Sequence, residues 1–123
     1  SLGFTEALLR GIGCNWLVCL AVFAAAASTE TIGKIAALWF PTMAFVALGM
    51  EHCIANMFFI PLGILTGTDP RYIALVEAGK AAALKADFSS FAVGNLIPVT
   101  IGNIVGGSVL VGMLYLAANI KKA

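Results

Sequence analysis

The hydrophobic positions of the chain fall into three long runs that are separated by polar stretches. The first run covers residues 7–27 and is close to the ~20 apolar residues that a helix needs to cross a membrane. The polar stretch after it, residues 28–31, contains Ser and Thr oxygens that we expect to cap the next helix. The third run covers residues 95–120, and Lys121 and Lys122 after it are expected to anchor it at the interface. The first and third runs each predict one membrane-crossing helix.

The second run, residues 32–67, is too long for one membrane-crossing helix and too short for two. As a single α-helix its roughly 36 residues would extend over about 54 Å, whereas the hydrocarbon core is about 30 Å thick. Its interruption is the sequence Gly-Met-Glu-His at residues 49–52. We therefore expect two half-helices that meet near the middle of the membrane, with Gly49 as the flexible joint. The alternative is one kinked helix in which Glu51 and His52 are hydrogen-bonded to their neighbours.

Residues 68–94 differ in composition from the three runs. Asp69 and Pro70 indicate a turn, and the Ala, Lys and Glu residues that follow suit a short surface helix. We expect this segment to be an extramembrane loop. The whole chain, residues 1–123, is then a single transmembrane unit.

Composition and charge agree with a lipid environment. The chain is 61% hydrophobic and 11% charged, whereas soluble domains carry about 25% charged residues. The net charge of +1 comes without a cluster of either sign, so we expect no nucleic-acid partner. The three cysteines lack paired spacing and the chain has one histidine, so we expect no metal site and no cofactor. We also find no nucleophile and base pair that would indicate an enzyme.

Glu51 and His52 are the strongest candidates for function, because ionisable groups at membrane depth are costly and normally face a bundle interior or a pathway. An imidazole can take up or release a proton near neutral pH, so we expect His52 to face a pore. Glu51 is its neighbour in the chain and points elsewhere. We expect Glu51 to support the break by bonding free backbone amides.

Other polar residues in the apolar runs have less specific interpretations. Lys34 lies at the entrance of the broken span, where its charge would either concentrate anions or anchor the helix at the interface. Asn15 and Asn103 are amides inside apolar runs, which predicts hydrogen bonds between helices or to the broken backbone. Small residues in the last run form a face that permits close helix packing: Gly102, Gly106, Gly107 and Gly112.

Three motifs, in this order, resemble the formate/nitrite transporter family: CNWLVCLAV at residues 14–22, FVALGMEHCIANMFFIP at residues 45–61, and NLIPVTIGNIVGG at residues 95–107. The resemblance implies an all-α membrane protein with an aquaporin-like, inverted-repeat helical bundle. It also implies a homopentamer in the lipid bilayer, multi-pass in the cytoplasmic (inner) membrane, with one pore in each protomer. The chain resembles the last three of six spans, so one half of the bundle is present, with its middle helix broken.

The resemblance also implies roles for individual residues. His52 matches the central pore histidine of the family, and Asn15 matches the asparagine near it. Phe45 resembles the outer aromatic constriction and Val18 a member of the inner one. Two further positions match the basic residue after the fourth span and the amide of the sixth span: Lys34 and Asn103.

The implied function is passage of a small monovalent anion of a weak acid, with formate favoured. An anion loses hydration in an apolar pore, and His52 would lower this cost by supplying a hydrogen bond or a proton. Hydrosulfide or nitrite is the alternative substrate. A non-conducting membrane scaffold subunit is the alternative of another class, and the buried Glu51-His52 pair argues against it.

Overall fold

A computed structural model of the protein describes residues 2–74 and 87–120, and these residues contain helices and no strands. The helices are α1 (Phe4–Ala27), α2 (Thr31–Ala47), α3 (Cys53–Thr66), α4 (Pro70–Ile73) and α5 (Phe88–Ile120). The all-α fold and the broken middle helix predicted from the sequence are confirmed. The surface helix predicted after Pro70 lies largely outside the described residues, as do Lys121 and Lys122.

Two helices, α1 and α5, are long and apolar enough to cross a membrane. They have 24 and 33 residues, and each contains an 18-residue stretch with a mean hydropathy of 1.8. At ~1.5 Å per residue, α1 alone extends over about 36 Å, which exceeds the hydrocarbon thickness of about 30 Å. Helices α2 and α3 have 17 and 14 residues, so each is shorter than a full span.

The start of α5 differs from the sequence-based expectation of a loop up to residue 94. The helix begins at Phe88, because Asp87 forms a capping box with Ser90. The Asp87 carboxylate accepts a hydrogen bond from the Ser90 backbone N–H at 2.6 Å, and the Ser90 hydroxyl accepts one from the Asp87 N–H at 3.2 Å. Hydrophobicity located the apolar part of the helix, whereas the polar cap determines where it starts.

The start of α2 also differs from expectation. Glu30 occupies the N-cap position, and its side chain makes no capping bond. The Ser28 hydroxyl donates to the carbonyl oxygen of Glu30 at 3.2 Å and bonds no amide of the first turn. The prediction that a Ser or Thr oxygen caps this helix is therefore wrong.

Helices α1 and α5 pack so closely that glycine is required at their contact. A Cβ atom on Gly102 would collide with the carbonyl oxygen of Leu8, and one on Gly106 with that of Ile12. Gly112 belongs to the same predicted face, but its nearest neighbour is the Gly107 carbonyl of its own helix, at 3.6 Å. The core between the two helices is small and is formed by Ala7, Cys14, Ala21, Val99 and Val111.

The two half-helices rest on different partners. Helix α2 packs on α1, and α3 packs on α5. Helix α2 has no buried residue, and large apolar side chains on both half-helices stand exposed, among them Trp39, Phe40, Phe58 and Phe59. Such a continuous apolar surface is suited to lipid or to other protein segments in a membrane.

Candidate functional site

The candidate site is the irregular backbone between α2 and α3. Gly49 has a φ of +62°, a left-handed conformation that residues with a Cβ atom rarely adopt. The Met50 N–H donates to the Phe45 carbonyl oxygen at 3.0 Å, which closes the end of α2. His52 is extended, with φ −117° and ψ 116°, and α3 begins at the next residue. The chain therefore forms two helices rather than one kinked helix.

Asn103 of α5 holds the break on its α3 side. Its side-chain nitrogen Nδ2 donates to the carbonyl oxygens of Gly11, at 2.9 Å, and Glu51, at 3.0 Å. Its oxygen Oδ1 accepts from the backbone N–H of Cys53 at 3.0 Å. Asn103 is 4% exposed, and both hydrogens of its amide are used. The hydrogen bonds predicted for this residue are found, and they join α1, α5 and the break.

Asn15 of α1 makes the second of the predicted interhelical contacts. Its Nδ2 donates to the backbone carbonyl oxygen of Asn103 at 2.6 Å. The residue is half-buried, and a Cβ atom on Gly107 would lie 2.5 Å from its amide nitrogen. Asn15 thus packs against the glycine face of α5.

His52 lies at the N-cap of α3, with its ring half-buried. Its Nδ1 accepts a long hydrogen bond, 3.4 Å, from the Ala55 backbone N–H. In the tautomer that accepts this bond, the ring hydrogen is on Nε2. Nε2 makes no hydrogen bond within the described residues. The Phe45 ring is stacked against the imidazole, with 6.0 Å between ring centroids and 28° between planes.

The Glu51 carboxylate is held by two side-chain amides. Its Oε2 accepts from Nδ2 of Asn56 at 2.6 Å and from Nδ2 of Asn95 at 3.0 Å. Asn56 also donates to Oδ1 of Asn95 at 2.8 Å, so the three side chains form a closed triangle. The expectation that Glu51 bonds free backbone amides is wrong in this detail, because Asn103 and His52 satisfy the amides at the start of α3.

Asn56 and Asn95 were missed as functional residues in the sequence. Asn95 lies in a π-helical segment of α5, Ala92–Leu96, and π-helical turns within α-helices are frequent at functional sites. Both are amides in apolar surroundings, the same signal that singled out Asn15 and Asn103. Their partner could not be read from spacing, because Asn95 reaches Glu51 only through tertiary packing.

Arg10 was also missed. Its guanidinium donates from Nη1 to the Gly49 carbonyl oxygen at 2.9 Å and from Nη2 to Oε1 of Glu6 at 2.7 Å. The signal available in the sequence was an arginine inside an apolar run, where charged side chains need partners.

The remaining predicted residues lie farther from the break. Val18 is half-buried on α1. Lys34 is exposed in the first turn of α2, about 20 Å along the helix from its end at the break. Among the residues that the structure describes, no three His, Cys, Asp or Glu side chains are grouped as metal ligands would be.

The break thus combines backbone groups held by Arg10 and Asn103, a fixed carboxylate, and an imidazole whose Nε2 makes no hydrogen bond within the described residues. The family model described as "Formate/nitrite transporter" matches residues 1–117 of this chain. The chain belongs to the formate/nitrite transporter family. This is a family of transporters, so the expectation that the chain is not an enzyme is confirmed.

Individual members of the formate/nitrite transporter family are similar over almost the whole chain. The "Probable formate transporter" of Methanothermobacter thermautotrophicus is 48% identical over 99% of this chain and 38% of its own length. "Formate channel FocB" of Escherichia coli (strain K12) is 40% identical over 97% of this chain and 43% of its own length. The chain therefore spans about two-fifths of the length of these curated relatives.

A solved structure shares the fold. The chain superposes on a "Pentameric formate channel with formate bound" with a TM-score of 0.81 and 41% sequence identity. The similarity covers 97% of this chain and 48% of the solved chain.

Proposed function

We propose that the protein to which this chain belongs is a membrane channel for formate. The relatives named as formate transporters or channels are 40% and 48% identical to it, and the solved relative carries formate. The observation that carries the proposal is the His52 ring, whose Nε2–H makes no bond within the described residues and which stands at the start of a half-helix in a broken span.

The geometry of the break suits a small anion. The N-terminus of α3 carries the positive end of a helix dipole, which stabilises negative charge near it. His52 adds a hydrogen-bond donor at the same place, and once protonated it transfers a proton to a weak-acid anion. A formate ion that has left bulk water gains back part of its lost hydration by these two contacts.

The other candidate residues take the following roles in this proposal. Phe45, stacked on His52, narrows the path on the outer side, and Val18 narrows it on the inner side. We assign Asn15 to the pathway near the histidine, and Lys34 concentrates anions at the entrance. Gly49 and Glu51 support the break, and Asn103 holds its backbone.

The proposed assembly is a pentamer, like the solved relative, and we assign one pore to each protomer. Each protomer passes several times through the cytoplasmic membrane and is built from two inverted repeats. This chain supplies the second repeat, so the residues opposite His52 come from the first.

The test is formate uptake by the full-length protein in proteoliposomes at several pH values. We expect wild-type uptake to depend on pH, and His52→Ala to lower the rate at least about tenfold and to remove that dependence. Asn119→Ala is the matched control, because Asn119 is exposed and its amide bonds only Tyr115 of its own helix among the residues that the structure describes. Unchanged rate and pH dependence in His52→Ala would exclude the histidine mechanism.

The same liposomes decide between substrates. If nitrite or hydrosulfide passes faster than formate, that anion and not formate is the substrate. A wild-type protein that is correctly inserted and passes none of these anions would be a scaffold subunit.

A further inference from the structure

Arg10 is a charged side chain that reaches the break and has no part in the mechanism above. It precedes Gly11, whose carbonyl oxygen accepts the Asn103 amide, so it lies level with the break along α1. Its guanidinium donates to the Gly49 carbonyl oxygen at 2.9 Å and to Glu6 at 2.7 Å. The Arg10 side chain is 40% exposed and that of Glu6 50%.

The Gly49 carbonyl needs a donor from outside its own helix. The last carbonyls of α2 are used within the chain, since Ala44 accepts from Leu48 N and Phe45 accepts from Met50 N. Gly49 then turns into the left-handed conformation, and its oxygen leaves the helical pattern. Among the described residues, Arg10 is the donor to this oxygen. A cation at the C-terminal end of a helix is also favoured by the helix dipole.

The backbone of the break is therefore held at both ends. Arg10 fixes the α2 side through Gly49, and Asn103 fixes the α3 side through Glu51 and Cys53. The stretch between these contacts carries His52.

We infer that Arg10 is a positioning residue of the pathway. By fixing the Gly49 carbonyl, it fixes the turn that brings the Phe45 ring against the His52 imidazole. The inference rests on the proposed function, because it assigns Arg10 a part in transport. It places the arginine on the backbone of the break and not on the anion.

Arginine suits this position better than lysine does. Its planar fork of donors reaches Glu6 and the Gly49 carbonyl at the same time, whereas a lysine ammonium is a single point donor on a flexible stem. Glu6 lies one helical turn before Arg10 and holds the guanidinium in the direction of Gly49.

The first experiment measures formate flux through the reconstituted full-length protein carrying Arg10→Gln, Arg10→Lys or Glu6→Gln. We expect Arg10→Gln to lower the maximal rate about tenfold, which corresponds to losing one hydrogen bond from a charged group. The concentration for half-maximal flux should stay unchanged, because no contact to the anion is lost. Arg10→Lys and Glu6→Gln should give intermediate rates. Arg71→Gln is the control, since Arg71 is exposed and pairs with Asp69 of the loop.

A rise in the half-maximal concentration with an unchanged maximal rate would overturn the inference and make Arg10 a direct anion ligand. A wild-type maximal rate in Arg10→Gln would overturn it as well.

The second experiment measures the exposure of the break directly and does not depend on formate transport. Cys53 is the first residue of α3, and Cys19 is half-buried on α1, so the two thiols report on the break and on the helix pair in one molecule. We expect N-ethylmaleimide to alkylate Cys53 about tenfold faster relative to Cys19 in Arg10→Gln than in wild type. An unchanged ratio would overturn the inference, and so would an equal acceleration of both thiols, which indicates general unfolding.

The two experiments separate the inference from the proposed function. If the wild-type protein passes no formate but Arg10→Gln still exposes Cys53 selectively, the proposed function is wrong and the hold of Arg10 on the break is upheld.

Discussion

The side-chain amide of Asn103 donates a hydrogen bond to the backbone carbonyl oxygen of Glu51, 3.0 Å away. The carbonyl belongs to a stretch of chain that forms no regular helix, and the amide comes from the neighbouring helix α5. Irregular backbone at membrane depth persists only where such groups find partners other than lipid. The side-chain amide of Asn103 therefore supplies hydrogen-bond partners that a broken helix needs inside a bilayer.

Replacing Asn103 should destabilise the protein more than replacing any exposed amide. Asn103→Leu keeps the approximate size but leaves the Gly11 and Glu51 carbonyls and the Cys53 N–H without this partner. Each buried group left unpaired costs about 1–3 kcal/mol. We expect a total loss of at least about 3 kcal/mol, measured as a lower thermal midpoint of the purified full-length protein.

The matched control is Asn119→Leu, because Asn119 is exposed and, within the described part of the chain, its side chain bonds only its own helix. Equal thermal midpoints of the Asn103 and Asn119 variants would contradict the assignment.

Variants of Glu51 should separate its hydrogen bonds from its charge. Both bonds from Asn56 and Asn95 go to the same oxygen, Oε2. Glu51→Gln can keep an oxygen at that position, whereas Glu51→Ala removes the acceptor of both amides and leaves Asn56 only its bond to Asn95 among the described residues. We expect Glu51→Gln to keep most of the folded yield, measured by size-exclusion chromatography, and Glu51→Ala to lose most of it. Equal losses in the two variants would mean that the negative charge itself is required.

Adding one methyl group at Gly106 should separate α1 from α5. A Cβ atom there meets the Ile12 carbonyl, which belongs to rigid helix backbone. Overpacking of this kind costs about 1–3 kcal/mol, and we expect Gly106→Ala to lower the thermal midpoint accordingly. Gly112→Ala serves as the comparison, since its nearest neighbour is 3.6 Å away in its own helix. The close contact is refuted if the two variants unfold at the same temperature.

The first turn of α5 should loosen in acid. The Ser90 backbone N–H, and then the Ser90 and Ser89 hydroxyls, lower the pKa of Asp87 below its ordinary value. The ionised form is thus favoured in the folded helix. Its stabilising effect is present above the ordinary aspartate pKa and is lost as the pH falls through the lowered value.

Hydrogen exchange of the Ser90 and Phe91 amides, corrected for intrinsic rates, should therefore speed up at low pH. Asp87→Asn should remove this pH dependence, because an asparagine oxygen accepts the capping bond at any pH. Persistence of the acid effect in Asp87→Asn would assign it to another group.

Hydrophobic patterning predicted the helices and the position of the break, because each depends on local composition. The long run with an internal Glu-His pair could satisfy neither one span nor two, and the structure divides it at that pair. The glycine face of α5 could also be predicted from local sequence, because small residues at helical spacing permit close contact between helices. Gly112 departs from it because it is exposed, and the nearest atom to a Cβ there is the Gly107 carbonyl oxygen of its own helix.

Local sequence patterns do not predict the hydrogen-bond partners at the break. Asn95 donates to Glu51 although the two residues are far apart in the chain. Asn95 lies in a π-helical turn, which the hydrophobic periodicity of the sequence does not predict. In the sequence Arg10 is one of several scattered charges, and its contact with Gly49 depends on how α2 lies against α1. Tertiary packing decides such contacts, so they became visible only in the folded chain.

The two half-helices have different main supports among the described residues, since α2 lies on α1 and α3 lies on α5. Phe45 belongs to the first and His52 borders the second, so the distance between their rings depends on the distance between α1 and α5. Gly102 and Gly106 determine that distance from outside the break. In the proposed channel, the width of the pathway beside His52 is therefore determined in part by glycines that lie outside the break.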